Sequence, residues 1–333
     1  MAQSSQWVDR IIFSRNATYG DPDDRSVAEV PHTGALAVEQ SYQGSWTGEV
    51  PGYLSGDYYI FVCADCLNDV YEYNDAHPNV ARSDDMTLVR QWIIQPGTLT
   101  ENTVWSGMLK IMGTVTVPAG VTLTIEPGSI LKFVTGGLTV QGTLNALGTI
   151  ERPIIFTSWA DDSAGGDSND DDAATSPDRG DWAGLSLTGG TAIANLNNVS
   201  ICYADNAISG GGEGVLARLL NTTLRENETA FYSWTPYASI EAQNSLIVHN
   251  SAMIYMGATS RLTLRNCTVA DNGAGGTVGN AILTIENTIF AFNGSGFTGW
   301  PMAGDVTIRN SDFFSEVGQV IAWAGGEEAF RKV

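Results

Sequence analysis

Basic residues are scarce in this sequence, and their scarcity limits the partners that the protein can bind. Lysine and arginine together number 16 against 37 aspartates and glutamates, so the formal net charge is −21 over 333 residues. Nucleic acids and anionic membranes are bound by basic surfaces, so neither is expected as a partner. The excess of carboxylates suits a cation-rich setting in which Ca²⁺ neutralises acidic side chains.

Long apolar segments and the motifs of common enzymes are also missing. No apolar run approaches the roughly 18 residues that span a bilayer, so membrane insertion is not expected. The opening MAQSSQW lacks the charged and apolar regions of a signal peptide, and we expect a fragment of a longer secreted or cell-surface chain with neighbouring domains. No nucleophile elbow, P-loop, HExxH or paired CxxC motif occurs.

Cysteine is sparse as well, with four residues in the whole chain. Cys63 and Cys66 form a lone CxxC with no helix pattern after it, which favours a local disulfide or two free thiols over a redox or zinc site. Cys202 and Cys267 are expected to be small buried hydrophobic residues.

The first part of the chain, residues 1–95, consists of short alternating segments such as YYIFVCAD, and these predict a small β-sandwich. WVDRIIFSRNATYGDPDD, PHTGALAVEQSY and LSGDYYIFVCADCLNDVYEYNDAHPNV resemble the bacterial cell-adhesion-related module known as CARDB, over about residues 5–90. The resemblance implies an immunoglobulin-like accessory module of secreted or surface proteins, without catalytic activity.

The second part, residues 96–333, carries an internal repeat marked by asparagine. The intervals are 21 to 23 residues, and the repeated residues are Asn198, Asn221, Asn244, Asn266, Asn287 and Asn310. Such a repeat is too short for a strand and a full helix, and its Thr, Ile, Val, Asn and Gly content fits three short strands. We therefore predict an all-β chain whose second domain is a right-handed parallel β-helix, with corner asparagines in the αL conformation that hydrogen-bond between coils.

Two further patterns accompany the repeat. An apolar residue follows each of the first five asparagines by three positions, and a second asparagine follows four of them by six: Asn227, Asn250, Asn272 and Asn293. Several of these asparagines fit the N-x-[ST] glycosylation motif, but we interpret them as a structural ladder.

GTVTVPAGVTLTIEPGSILKF and the segments after it also resemble bacterial pectin-lyase-like β-helix regions, over about residues 104–320.

An acidic segment, DDSAGGDSNDDDAATSPDRGDW, lies between two predicted coil strands and is expected to be a corner insertion over 159–181. Its spacing resembles the calcium loop of dockerins and EF-hands, with candidate ligands at positions 1, 3, 5 and 12: Asp167, Asn169, Asp171 and Asp178. Asp161, Asp162 and Asp181 are further candidate ligands. Asp172 replaces the usual glycine of such loops, and the alternative is a solvated acidic loop without an ion.

A candidate catalytic column follows from the same alignment of coils. Glu226, His249 and Asp271 each lie five residues after a repeat asparagine, so we expect them to be about 5 Å apart in successive coils. A carboxylate, an imidazole and a carboxylate in a row can perform acid–base chemistry, and the alternative is a set of hydrogen-bonded corner residues. Tyr203 and Phe292 occupy the ends of the column, where aromatic rings can stack on sugars.

The expected function is binding, adhesion or display toward polysaccharide or another cell-surface ligand, with structural Ca²⁺. The alternative is a carbohydrate-active enzyme, either a polysaccharide lyase or a glycoside hydrolase, and a third possibility is a structural stalk. The basic residues of the repeats are expected to be scattered among its phases and away from any aspartate cluster, which weakens the lyase alternative. These residues are Arg218, Arg225, Arg261, Arg265 and Arg309.

Overall fold

The protein is an all-β chain of two compact units, residues 1–91 and 92–333, whereas the sequence suggested a division between 95 and 96. The computed structural model describes residues 6–37, 40–48, 50, 54, 56–70, 79–89, 92–171, 174–233, 237–257, 259–295, 297–299, 306–314 and 321–323. This part of the chain contains strands, turns and bends but no helix, and therefore no helix that could cross a membrane.

The first unit is an antiparallel sheet with the strand order β2-β1-β3-β4, in which β5 also pairs with β3. Its strands are β1 (Gln6–Ser14), β2 (Arg25–Thr33), β3 (Gly56–Cys63), β4 (Val80–Arg82) and β5 (Thr87–Val89). Neighbouring residues of a strand point to opposite faces, and both faces are covered, since Ile12 packs with Phe61 while Phe13 packs with Tyr58. This sheet fits the predicted immunoglobulin-like β-sandwich.

The cysteines follow the sequence-based expectation. Cys63 and Cys66 form a disulfide at the end of β3, which is one of the two predicted alternatives. Cys202 and Cys267 are buried, unpaired thiols in the second unit, where they pack as small hydrophobic residues.

The second unit is a right-handed parallel β-solenoid of about nine turns, as predicted. Each turn contains one strand of each of three parallel sheets, which we call the first, second and third faces. In chain order the strands are β6 (Trp92–Ile94), β7 (Gly97–Thr98), β8 (Thr103–Trp105), β9 (Met108–Ile111), β10 (Val115–Val117), β11 (Thr122–Ile125), β12 (Ile130–Phe133), β13 (Gly137–Val140), β14 (Thr143–Leu147), β15 (Ile154–Ser158), β16 (Trp182–Thr188), β17 (Ile193–Asn197), β18 (Val199–Cys202), β19 (Ala204–Gly211), β20 (Leu216–Leu220), β21 (Thr223–Arg225), β22 (Thr229–Ser233), β23 (Ser239–Gln243), β24 (Leu246–Val248), β25 (Ala252–Met256), β26 (Arg261–Arg265), β27 (Thr268–Ala270), β28 (Ala274–Val278), β29 (Ile282–Glu286), β30 (Ile289–Ala291), β31 (Phe297–Gly299), β32 (Val306–Arg309), β33 (Asp312–Phe314) and β34 (Ile321–Trp323).

The faces take every third strand. The first face contains β6, β9 and so on to β33, the second runs from β7 to β34, and the third from β8 to β32. Alternation along each strand buries one side, and the apolar residues predicted three positions after the asparagines form part of the core: Leu224, Ile247 and Val269 are at most 1% exposed.

The outer asparagine ladder lies at the corner between the third and first faces. Its six asparagines have φ between 48° and 52°, which is the αL conformation predicted for them. The amides join successive turns, since Asn287 Nδ2 donates to Asn266 Oδ1 at 3.2 Å and Asn266 Nδ2 donates to Asn244 Oδ1 at 3.3 Å. This ladder is largely solvent-exposed.

The inner ladder consists of Asn227, Asn250, Asn272 and Asn293, and the first three of these are fully buried. The amide Nδ2 of each of the first three donates to the Oδ1 of the asparagine one turn further on, at distances of 2.9, 2.9 and 2.8 Å. The same Oδ1 atoms also accept backbone N–H groups of the preceding turn. These bonds confirm the structural interpretation of the asparagines.

Candidate functional site

A second αL corner joins the first and second faces, and we call its residues the corner column. They are Tyr203, Glu226, His249, Asp271 and Phe292, one from each of five successive turns, with φ between 53° and 62°. This conformation costs a residue with a Cβ atom about 1–2 kcal/mol, and asparagine, aspartate and histidine tolerate it better than other residues. The outer ladder satisfies this requirement with asparagine throughout, whereas the corner column includes tyrosine, glutamate and phenylalanine.

The three predicted catalytic residues are brought together in the column. His249 Nδ1 lies 3.5 Å from Glu226 Oε1, and His249 Nε2 lies 4.0 Å from Asp271 Oδ2. About half of the His249 and Asp271 side chains and 30% of the Glu226 side chain are exposed. The imidazole is therefore placed between two carboxylates at the protein surface.

An arginine from the acidic insertion completes this group. Arg179 Nη2 donates to Glu226 Oε2 at 2.8 Å and to the backbone carbonyl oxygen of His249 at 2.7 Å. Its Nη1 atom lies 3.4 Å from Ser251 Oγ. The insertion thus reaches the column and places a positive charge beside its carboxylates, a contact that the spacing of the repeats does not predict.

Aromatic residues occupy both ends of the column. Phe292 is 59% exposed. Tyr203 is half-buried beneath the Arg225 guanidinium, which lies 5.9 Å from the ring centroid, and burial raises the pKa of its hydroxyl. Exposed or half-exposed rings in line with polar groups can stack on sugars while the polar groups bond to hydroxyls.

The acidic insertion lies between β15 and β16, as predicted, and folds over the first face. Trp159 stacks on Lys110, with Nζ 3.9 Å from the ring centroid. Lys132, on the neighbouring strand, is fully buried and its Nζ donates to Gly166 O at 2.9 Å and Ser168 Oγ at 2.7 Å. Burial lowers the pKa of Lys132, and the nearby aspartates oppose that shift.

Three of the predicted metal ligands form a cluster. One carboxylate oxygen from each of Asp162, Asp167 and Asp171 lies within 4.8 Å of the other two. Among the described residues, three oxygens here are enclosed and have no hydrogen-bond partner, namely Asp162 Oδ1, Asn169 Oδ1 and Asp171 Oδ1. Burial, reinforced by the charge of Asp167, raises the pKa of Asp162. Hard carboxylate and amide oxygens are the ligand type that Ca²⁺ takes.

The remaining predicted ligands lie apart from this cluster. Asp161 is buried and accepts the hydroxyl groups of Thr157 and Ser163. Asp181 Oδ2 accepts the Ser158 hydroxyl and the Asp178 backbone N–H, so these two aspartates are joined at the end of the insertion. Positions 172 and 173, which include the aspartate in place of glycine, lie outside the described residues.

Sequence reasoning did not identify another acidic cluster, formed by Asp21, Asp23 and Asp24 in the first unit. Asn16, which also fits the glycosylation motif, donates through Nδ2 to Asp21 Oδ2 and Asp23 Oδ1 at 2.9 and 2.8 Å. Hydrogen bonds lower the pKa of Asp23, that from Asp21 being the strongest cause. The signal in the sequence was the compact GDPDD turn after β1.

The solenoid and its corners define a parallel β-helix protein in which one corner presents the charged and aromatic side chains of the corner column. In agreement with this, the family model described as "Right handed beta helix region" matches residues 183–330, which is less than half of the chain. Comparisons with curated proteins and with solved structures gave no significant match.

Proposed function

We propose that this chain is a binding or display module of a secreted or cell-surface protein, and that its corner column contacts polysaccharide. The main support for this proposal is the set of residue types found at the second αL corner. Stability alone favours glycine or asparagine there, so the presence of Tyr203, Glu226 and Phe292 points to a role for these side chains outside the fold.

The shape and chemistry of the column suit an extended glycan. Its residues recur once per turn, about 4.8 Å apart, on a rigid edge. Carboxylates, an imidazole and the Arg179 guanidinium offer acceptors and donors for sugar hydroxyls, and the terminal rings offer stacking surfaces. The Cys63–Cys66 disulfide and the immunoglobulin-like sheet agree with an extracellular adhesion-type module, because disulfides persist mainly in oxidising compartments.

Ca²⁺ is the ion that we propose for the insertion. Asp162, Asp167, Asn169 and Asp171 supply hard oxygens, and three of these oxygens have no other partner within the part of the chain that the structure describes. A bound ion would neutralise carboxylates that otherwise repel each other next to the buried Lys132. Titration calorimetry with Ca²⁺ and Mg²⁺ tests this, and the proposal fails if millimolar Ca²⁺ neither binds nor raises the melting temperature.

Affinity electrophoresis in gels that contain neutral or acidic glycans tests the column. Phe292→Asn is the decisive variant, because asparagine tolerates the αL corner. We expect its melting temperature to be equal to or above that of the wild type while retardation by the bound glycan is lost. Glu151→Gln, an exposed acidic residue in the loop between β14 and β15, is the matched control and should keep binding. Retention of full binding by Phe292→Asn and Glu226→Gln would contradict the proposal.

A carbohydrate-active enzyme is the second candidate, and the contacts of Arg179 favour it. An arginine paired with Glu226, beside His249 and Asp271, places donors and acceptors of protons in one row. An enzyme should release reducing or unsaturated ends from one glycan of the panel and lose this activity in Asp271→Asn and His249→Gln. Binding without product release distinguishes the module from the enzyme.

A further inference from the structure

Four of the five arginines of the repeats share one surface, although they fall at different phases of the repeat. Arg218 lies on β20, Arg261 and Arg265 on β26, and Arg309 on β32, all strands of the third face. Their positions relative to the next ladder asparagine are −3, −5, −1 and −1. These arginines have different phases in the repeat, as expected, but odd offsets along one strand point to the same side of a sheet, so all four lie on one face.

The third face is positively charged, although the chain as a whole is strongly negative. From β17 to β32 its strands contain four arginines and two glutamates, Glu241 and Glu286, with no aspartate or lysine. Arg265 Nε and Arg309 Nη1 lie 2.9 and 3.6 Å from the two oxygens of Glu286, so one carboxylate is shared by two guanidinium groups. The face therefore has a net charge of +2 in a chain of −21.

The arrangement of these charges is regular and accessible. Arg265, Glu286 and Arg309 occupy one column, so the two arginines are two turns apart, or about 10 Å. The side chains of Arg218, Arg265 and Arg309 are 55%, 55% and 69% exposed. Hydroxyl and amide side chains, including Gln243 and Thr263, lie among them on the strands of the same face.

We propose that the arginines of the third face bind the carboxylate groups of an acidic polysaccharide. A guanidinium group is planar and offers paired donors that match a carboxylate, and the strands between the arginines offer partners for hydroxyls. A flat surface with a fixed repeat suits an extended polymer whose charges also recur. Nucleic acid requires a denser basic surface than four arginines on an acidic chain. The inference extends the proposed polysaccharide binding to a surface distinct from the corner column.

Affinity electrophoresis in polygalacturonate, in calcium-free buffer, tests the inference, with the fully methyl-esterified polymer as the neutral counterpart. Removal of an exposed charge contact is expected to weaken binding about threefold, so Arg261→Gln/Arg309→Gln should weaken it about tenfold. Arg10→Gln/Arg152→Gln removes the same charge elsewhere and should change binding less than twofold. Glu286→Gln should tighten binding about threefold, a gain that loss of folding cannot produce.

Several outcomes would overturn the inference. The first is unchanged binding of the Arg261→Gln/Arg309→Gln variant, and the second is no gain in affinity for Glu286→Gln. The third is retardation of the protein by oligodeoxythymidylate as strong as its retardation by polygalacturonate at the same salt concentration. If only the neutral polymer retards the protein, and Phe292→Asn abolishes that retardation, the corner column stands as a binding site. That result refutes only the proposed binding at the third face. If neither polymer is retained, the proposed polysaccharide binding fails together with this inference.

Discussion

Replacement of Asn250 by alanine tests whether the inner ladder holds the turns of the solenoid together. Asn250 is fully buried, and its Oδ1 accepts the backbone N–H and the Nδ2 of Asn227 at 3.0 and 2.9 Å. Its Nδ2 donates to Asn272 Oδ1 at 2.9 Å and to the carbonyl oxygens of Leu224 and Val248 at 3.1 Å. One side chain therefore connects three turns.

The expected loss of stability follows from these bonds. Without Asn250 Oδ1, the backbone N–H of Asn227 is left buried without its acceptor, which costs about 1–3 kcal/mol. Each further hydrogen bond that is lost contributes about 1 kcal/mol. We expect the free energy of unfolding of Asn250→Ala to fall by about 3 to 5 kcal/mol. Asn250 is not among the positive-φ residues, so alanine adds no backbone strain.

Asn244→Gly is the matched control in the outer ladder. Asn244 is exposed, its Nδ2 lies 3.5 Å from Asn221 Oδ1, and glycine tolerates its φ of 52°. The expected loss is about 1 kcal/mol or less. Urea unfolding followed by circular dichroism measures both variants, and hydrogen exchange measures the Asn227 amide. Unfolding of the two variants within about 1 kcal/mol of each other, or continued protection of the Asn227 amide in Asn250→Ala, would contradict this role of the inner ladder.

Further changes test the insertion and the contacts between turns. Burial raises the pKa of Asp162 above its ordinary 3.8, so its ionised form destabilises the fold above the raised pKa and this effect disappears as the pH falls through it. Asp162→Asn is therefore expected to slow tryptic cleavage after Arg179 at neutral pH without Ca²⁺, and to lose the protection that Ca²⁺ gives. Lys132→Met should accelerate that cleavage severalfold, because the buried ammonium of this β12 residue donates two hydrogen bonds to the insertion. Gly276→Ala should destabilise the solenoid by about 3 kcal/mol, since its Cβ would lie 1.9 Å from a carbonyl oxygen of the preceding turn, whereas Gly189→Ala, in open space, should cost about 1 kcal/mol.

Each of these predictions has a result that would contradict it. Faster cleavage of Asp162→Asn than of wild type without Ca²⁺ would mean that the carboxylate stabilises the insertion even when empty. Equal cleavage rates for Lys132→Met and wild type would mean that the ammonium contributes nothing to the insertion. Equal melting temperatures for the two glycine variants would show that the turns separate easily, in conflict with the close packing at Gly276.

The solenoid could be predicted from sequence because one local requirement repeats in every turn. An αL corner accepts asparagine readily. When a buried amide lies next to the same amide in the following turn, each satisfies a hydrogen-bonding group of the other. Asn221 and Asn227 therefore report the period, the corner and the inner ladder together. Equal spacing also means equal register, which is why Glu226, His249 and Asp271 could be placed side by side before their contacts were known.

The third face was missed because positions were compared only as distances from asparagine. Arg218, Arg261 and Arg265 have different offsets, so they were described only as belonging to different phases of the repeat. The period of a strand is two residues, however, so offsets of −3, −5 and −1 fall on one side of the same sheet. The information was present in the sequence, and the twofold alternation was the rule needed to extract it.

Arg179 and Lys132 belong to a different class, because no local rule fixes their contacts. Arg179 is joined to Glu226 and His249 across 47 and 70 residues, and Lys132 to Ser168 across 36. The insertion has no period, so its path depends on contacts with turns that are distant in the chain. The acidic insertion, for which Ca²⁺ binding is proposed, thus delivers the arginine that contacts the corner column. Ion occupancy of the insertion and ligand binding at the column are therefore expected to depend on each other, and glycan retardation with and without Ca²⁺ measures that dependence.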